Sequence, residues 1–288
     1  MESVIERLMQ LGHTGTAKNY RAALNSFNRF NADNDIPLEA INHITMEDYQ
    51  TYLQSSRLVP NTISFYMRVL RAVYNRAVSQ GLTRDKKPFR TVFTGSEKTI
   101  KRAISISEIR RIRCLDLSLN RNLEFARDIF MFLFLCRGMS FIDAAFLKKT
   151  DIHNGVITYR RHKTGQMLQI KVIKQINELI DRYPTPASPY LLPIITATDG
   201  AERRQYESAL HSVNKSLKSI ARMAALPVNL TTYVTRHSWA TIAKSKNIPI
   251  NVISDALGHD SIATTQIYLA SIDPATIDDA NELIIKDL

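Results

Sequence analysis

Cysteine is nearly missing. Cys114 and Cys136 are the only two in 288 residues, which excludes a disulfide-stapled scaffold and a Cys-rich zinc site. Two isolated thiols without a CxxC fit a reducing cytosol, each expected as a small buried apolar residue. With 9 Gly and 10 Pro the chain is neither collagen-like nor low-complexity. Gly165 and Gly258 stand alone, so a glycine-rich phosphate loop is absent, as are HExxH and DxDxDG patterns. The residues therefore point to no metal and no nucleotide cofactor. The longest apolar run, Ile129–Cys136, has eight residues, against the ~20 that a bilayer requires. The opening Met-Glu-Ser-Val-Ile-Glu-Arg lacks a signal-peptide pattern. A soluble protein that stays in its compartment of synthesis, with no membrane partner, is expected.

Negative charge is also short. Against 38 Lys and Arg there are 27 Asp and Glu, leaving +11. That excess speaks of partners, nucleic acid first, and not of fold. A hydrophobic share of 44% supports real cores, and at ~150 residues per domain the length suggests two domains.

The first hundred residues read as helices alone. Tyr20, Leu24, Phe27 and Phe30 fall at helical spacing, with Lys18, Arg21 and Arg29 on other faces. Thr45 with Asp48 forms a capping-box pattern, opening a helix through Met46, Tyr49 and Leu53. Asn61 is expected to cap a longer helix with the stripe Ile63, Tyr66, Leu70, Val73, Tyr74 and Ala77, stopped by Gly81. A bundle of about four helices follows, carrying 13 basic against 9 acidic residues over 1–100. Periodicity fades over 84–102, where basic residues mix with Pro88, Gly95 and Ser96. That stretch reads as a solvated linker, one that could also run along a phosphate backbone.

The remainder is mixed, with 25 basic against 18 acidic residues. Ser105 with Glu108 is a second capping box. A helix over roughly 122–136, apolar on nearly all sides, should centre the larger core. Residues 151–172 form the clear strand region. Asn154-Gly155 and Lys163-Thr-Gly165 are turns, and Val156, Thr158 and Arg160 alternate with Ile157, Tyr159 and Arg161. Three short antiparallel strands are predicted, then helices at about 173–182, 203–225, 235–246, 250–257 and 261–271. The fold class is mainly α with one small three-stranded sheet.

Chemistry-bearing residue types converge in the last third. Tyr233 and Arg236 are three apart at a helix start, His259 follows Leu257-Gly258, and Tyr268 comes nine residues later. Singly, each has an ordinary structural reading. Together, and in this order, they resemble the tyrosine recombinase (phage integrase) family, whose box reads approximately HxLRH, then LGH, then a nucleophilic Tyr. Lys163 on the hairpin turn and the string Leu135-Cys-Arg-Gly-Met-Ser-Phe-Ile-Asp143, similar to TGLRxxE, extend the resemblance, which covers essentially the whole chain.

The resemblance implies a site-specific recombinase that cuts and rejoins duplex DNA in integration, excision or inversion. Tyr268 would attack a phosphodiester, giving a 3′-phosphotyrosine and a free 5′-hydroxyl without metal or ATP. Arg236 would stabilise the charge of the transition state, His259 would donate to the same phosphate, and Lys163 would protonate the leaving oxygen. Two positions depart from the pattern. Ser140 stands where the first catalytic Arg is expected. Arg137 is the leading substitute, with Arg160 and Arg161 as alternatives. Tyr233 replaces the first His, and a phenol is a poor base at neutral pH. Asp143 matches the acidic position, where it would orient an Arg, or it is a helix-surface charge. His237 and Trp239 read as packing residues.

The implied organisation is a core-binding domain at 1–94, a basic linker at 95–103 and a catalytic domain at 104–288. Phosphate contacts would come from Arg68, Arg71, Arg76, Lys86, Lys87, Lys101 and Arg102. Four protomers would assemble on two recombination sites of nucleoid DNA, with the apolar end of 278–288 docking on a neighbour or on its own domain. At 288 residues no additional arm-binding domain is expected. A related topoisomerase, or a catalytically weakened DNA-binding accessory protein, are the competing readings.

Overall fold

The computed structural model describes residues 1–97 and 102–269, apart from the side chains of Ile267 and Tyr268. It divides into two units, Met1–Ile100 and Lys101–Leu288.

In the first unit α1 (Glu2–Gln10), α2 (Thr14–Phe30), α3 (His43–Ser55) and α4 (Pro60–Ser79) bury Phe27, Met46, Tyr49, Leu53, Met67 and Tyr74 in one core. The Tyr49 hydroxyl donates to Ser26 Oγ at 2.9 Å, so the ring is buried without an orphaned polar atom. Both expected caps are displaced. Asn42 caps α3 by accepting the Thr45 N–H at 3.1 Å, which makes Thr45 a first-turn residue. Val59 precedes α4, and Pro60 supplies its first turn, where a missing N–H costs nothing. Asn61 instead pairs with the backbone of Glu97 through both N–H and C=O.

Part of the stretch 84–102, read as a solvated linker, instead packs on the first unit. Phe89 and Val92 enter the first core, and the Tyr74 hydroxyl donates to the Arg84 carbonyl at 3.0 Å. Two apolar side chains, each worth roughly 1.5–3 kcal/mol on burial, outweigh a basic composition. Residues 98–101 lie outside the described part.

The second unit holds α5 (Ile106–Cys114), α6 (Arg121–Leu135), α7 (Phe141–Phe146), α8 (Lys174–Arg182), α9 (Glu202–Met223), α10 (Val234–Ser245), α11 (Ile250–Leu257) and α12 (Ile262–Tyr268). Ser105 and Glu108 form the expected capping box. The apolar helix α6 centres the larger core, burying Phe130, Phe132 and Leu133. Its neighbour Cys136 is buried, whereas Cys114 is exposed, against expectation. β1 (Ile152–His153), β2 (Val156–Arg160) and β3 (Met167–Lys171) pair antiparallel in chain order, with Ile157 opposite Ile170 and Tyr159 opposite Leu168. A smaller cluster of Ala240, Ala243, Ile253, Leu257 and Leu269 joins α10, α11 and the end of α12. Among the described residues no helix is long and apolar enough to cross a membrane.

Candidate active site

Period-two alternation along β2 sorts the hairpin cations. Ile157 and Tyr159 are buried, and Arg161 continues that face at 6% exposure. Arg160 faces the other way, exposed, and donates from Nη1 to the Gly165 carbonyl at 2.6 Å. It thereby closes the turn that presents Lys163 to solvent.

Helix α11 ends at Gly258, whose φ of 60° is left-handed. A helix C-terminus leaves carbonyls unpaired and carries partial negative charge, and here two buried guanidinium groups meet it. Arg236 Nη2 donates to the Leu257 carbonyl and Arg161 Nη1 to the Gly258 carbonyl. A Cβ on Gly258 would lie 2.7 Å from Arg161 Cδ and 2.9 Å from Gln166 Oε1, so both the backbone angle and the space demand glycine. Arg236, 4% exposed near the start of α10, also donates from Nη1 to the Gly138 carbonyl at 3.0 Å. Gly138 has φ 69° and brings its backbone so close that a Cβ would lie 2.6 Å from Arg236 Cα.

His259 follows directly. Its Nδ1 is 2.8 Å from Thr265 Oγ1 on α12. Burial, then the charges of Arg236, Arg161 and Lys163, push the imidazole down to about 4. The ring is therefore neutral at neutral pH. Three cations predicted from the sequence thus act on one imidazole. Arg137, the residue before Gly138, is half-buried in a left-handed conformation after α6, where its charge bears on the Cys136 thiol.

Ser140 has a structural task. Its hydroxyl caps α7, accepting the Asp143 N–H at 3.3 Å and donating to Asp143 Oδ2 at 2.6 Å. Asp143 is not a surface charge: it is 3% exposed and accepts the His162 N–H at 2.8 Å, with Arg161 Nε 3.8 Å from Oδ2. Burial opposes its ionisation, yet bonds from His162 and Ser140 and the Arg161 charge outweigh it and hold the carboxyl below the usual range. One carboxylate thus ties α7 to the base of the Lys163 turn.

Tyr233 is exposed before α10, its ring edge-on to His237 at 4.8 Å. Trp239 packs on the small cluster beside α11. Tyr268 is the last residue of α12, its side chain outside the described atoms. Of the proposed phosphate contacts, Arg68, Arg76, Lys87 and Arg102 are exposed. Arg71 donates to Thr94 Oγ1 at 3.1 Å, and Lys86 donates to the Glu39 carbonyl at 2.6 Å. Lys101 and residues 278–288 lie outside the described part. Sequence reasoning missed Gln166 and Thr265. The only available signal for Thr265 was its spacing of three from Tyr268 on one helix face.

Known proteins share both units. Residues 1–94 match the phage integrase SAM-like domain and residues 102–273 the phage integrase family. The tyrosine recombinase XerC of Syntrophus aciditrophicus (strain SB) is 25% identical over 279 residues, 89% of this chain and 87% of its own. In fold the chain resembles XerH site-specific recombinase bound to palindromic difH substrate, a post-cleavage complex (TM-score 0.69, 17% identity, 100% of this chain and 84% of that one). It also resembles a lambda integrase tetramer bound to a Holliday junction (TM-score 0.66, 18% identity, 90% and 77% covered). With well over half of its residues matched, the chain belongs to the phage integrase family and is a tyrosine recombinase, a site-specific DNA strand-transferring enzyme.

Proposed function

We propose that Tyr268 cuts one strand of a specific recombination site while Arg236, Arg161, His259 and Lys163 surround the scissile phosphate. The phenolic O–H gives its proton to solvent water as the phenolic oxygen bonds to phosphorus, and the bond to the 5′-oxygen breaks. Lys163 gives that oxygen a proton, leaving a 3′-phosphotyrosine and a 5′-hydroxyl. Rejoining runs the same step backwards with a new 5′-hydroxyl. The two guanidinium forks stabilise the charge on the non-bridging oxygens. Tyr233 replaces an imidazole as a hydrogen-bond donor and is no base at neutral pH.

The observation that carries this reading is the convergence of Arg236 and Arg161 on consecutive carbonyls, Leu257 and Gly258, beside His259. It also supports Arg161, in place of the Arg137 favoured by sequence, as the guanidinium that Ser140 lacks. Arg161 Nε is buried and, among the described residues, has no hydrogen-bond partner, with the Asp143 carboxylate 3.8 Å away to orient the guanidinium. The unit before residue 94 clamps the duplex through Arg68, Arg71, Arg76, Lys86 and Lys87. Residues 95–103, with Lys101 and Arg102, connect it to the catalytic unit at 104–288. The lambda integrase tetramer on a Holliday junction supports four protomers of this chain assembling on two sites of nucleoid DNA.

A nicked suicide substrate tests the assignment. Wild type should accumulate a covalent adduct and Tyr268→Phe none; equal adduct from both refutes it. Arg161→Ala should lower cleavage about 10²–10³-fold with DNA binding retained, while Arg137→Ala stays near wild type. The reverse outcome transfers the role to Arg137.

A further inference from the structure

Thr265 is fully buried on α12, three residues before Tyr268. It is not part of the helix cap. Ser261 caps α12 by accepting the Thr264 N–H, and Thr264 is exposed. Among the described residues, the group within hydrogen-bonding reach of the Thr265 hydroxyl is His259 Nδ1, at 2.8 Å. A buried hydroxyl whose proton finds no acceptor costs about 1–3 kcal/mol. A neutral imidazole offers one lone pair and one N–H, so the direction of the bond at Nδ1 settles which nitrogen carries the proton. Burial first, then the charges of Arg236, Arg161 and Lys163 against that of Asp260, keep the ring neutral.

We infer that Thr265 is a positioning residue: its hydroxyl donates to His259 Nδ1, fixes the proton on Nε2, and makes His259 a donor to the phosphate and not a base. The reversed bond would leave the Thr265 proton unsatisfied in the interior and present a lone pair to an anionic oxygen, which repels it. Because Thr265 shares a short helix with Tyr268, one contact couples the seating of the nucleophile's helix to the orientation of the imidazole. Loss of α12 from its seat would release the histidine with it. The inference rests on reading His259 as a phosphate ligand.

Two measurements on the full chain test it. Long-range ¹H–¹⁵N spectra of the His259 ring at neutral pH should show the Nε2–H tautomer in wild type. Thr265→Val, equal in shape but without a hydroxyl, should mix the tautomers. It should also lower single-turnover cleavage about 10–100-fold at unchanged DNA affinity, the size found when a partner orienting a histidine is removed. Thr265→Ser should retain the wild-type tautomer and cleave within about threefold of wild type. An Nδ1–H tautomer in wild type overturns the inference, as does a Ser variant that cleaves as poorly as Val. Should Val fail to fold, the wild-type spectrum and the Ser variant still decide. If wild type forms no covalent adduct, the recombinase assignment of these residues fails instead, and the tautomer remains readable on its own.

Discussion

Placing a methyl group on Gly138 should damage chemistry more than folding. The residue has φ 69°, a conformation that costs an L-residue roughly 1–2 kcal/mol. The added Cβ would lie 2.6 Å from Arg236 Cα, 3.1 Å from its Cβ and 3.3 Å from its Cγ. Carbon atoms pack at about 3.5–4.0 Å, so the start of α10 must retreat by about 1 Å. Overpacking of this kind costs ~1–3 kcal/mol, which with the backbone term makes ~2–5 kcal/mol of stability. The same retreat pulls Arg236 from the Gly138 carbonyl that it holds at 3.0 Å. A displacement near 1 Å at a transition-state contact is worth about 10²-fold in rate. The assay is single-turnover cleavage of a suicide substrate, normalised to folded protein by denaturant titration. Gly155→Ala is the control. Its φ is 72°, and nothing lies within 4 Å of the added atom, so it should lose about 1–2 kcal/mol of stability with cleavage per folded molecule intact. Wild-type cleavage by Gly138→Ala, or an equal loss in the control, would refute the claim that this backbone approach sets the Arg236 guanidinium.

Lys163→Ala should cleave ordinary DNA about 10²–10⁴-fold more slowly. A 5′-bridging phosphorothiolate, whose leaving group needs no proton, should restore the rate, and failure of that rescue would reduce Lys163 to a turn residue. His259 is pushed down to about 4 in the fold against about 6.5 when exposed. The unfolded chain therefore takes up this proton first, and stability is lost as pH falls from 6.5 towards 4. Denaturant titrations should show that slope, diminished in His259→Gln, and the cleavage profile should show no His259 inflection near pH 6.5. Asp128 is buried and bound by Arg127 at 2.9 Å, Arg182 at 2.7 Å and the Tyr183 hydroxyl at 2.8 Å. Asp128→Ala should cost about 1–3 kcal/mol, because the largely buried Arg127 and the half-buried Tyr183 hydroxyl lose an acceptor, while cleavage per folded molecule holds.

Patterns with a local cause were legible in the sequence. Helical stripes, the three strands with their Asn154-Gly155 turn, the Ser105–Glu108 cap and the apolar α6 all follow from periodicity and turn chemistry within a few residues. Alternation along β2 even contained the key to the cations, since Arg161 shares a face with Ile157 and Tyr159. Ser140 with Asp143 carries a helix-cap pattern too, local in cause like the others. What no local pattern could supply was the meeting of distant segments. Phe89 and Val92 returned a basic, aperiodic stretch to the first core, because burial depends on the partner surface and not on the neighbours in sequence. Arg161 and Arg236 became neighbours only because α11 ends between them, offering adjacent carbonyls that each guanidinium satisfies. Residue types and their order thus determined which chemistry the chain could perform. Which arginines meet at the end of α11, and which hydroxyl lies against His259, was decided by long-range packing, where a buried polar group must find its partner wherever the chain has brought one.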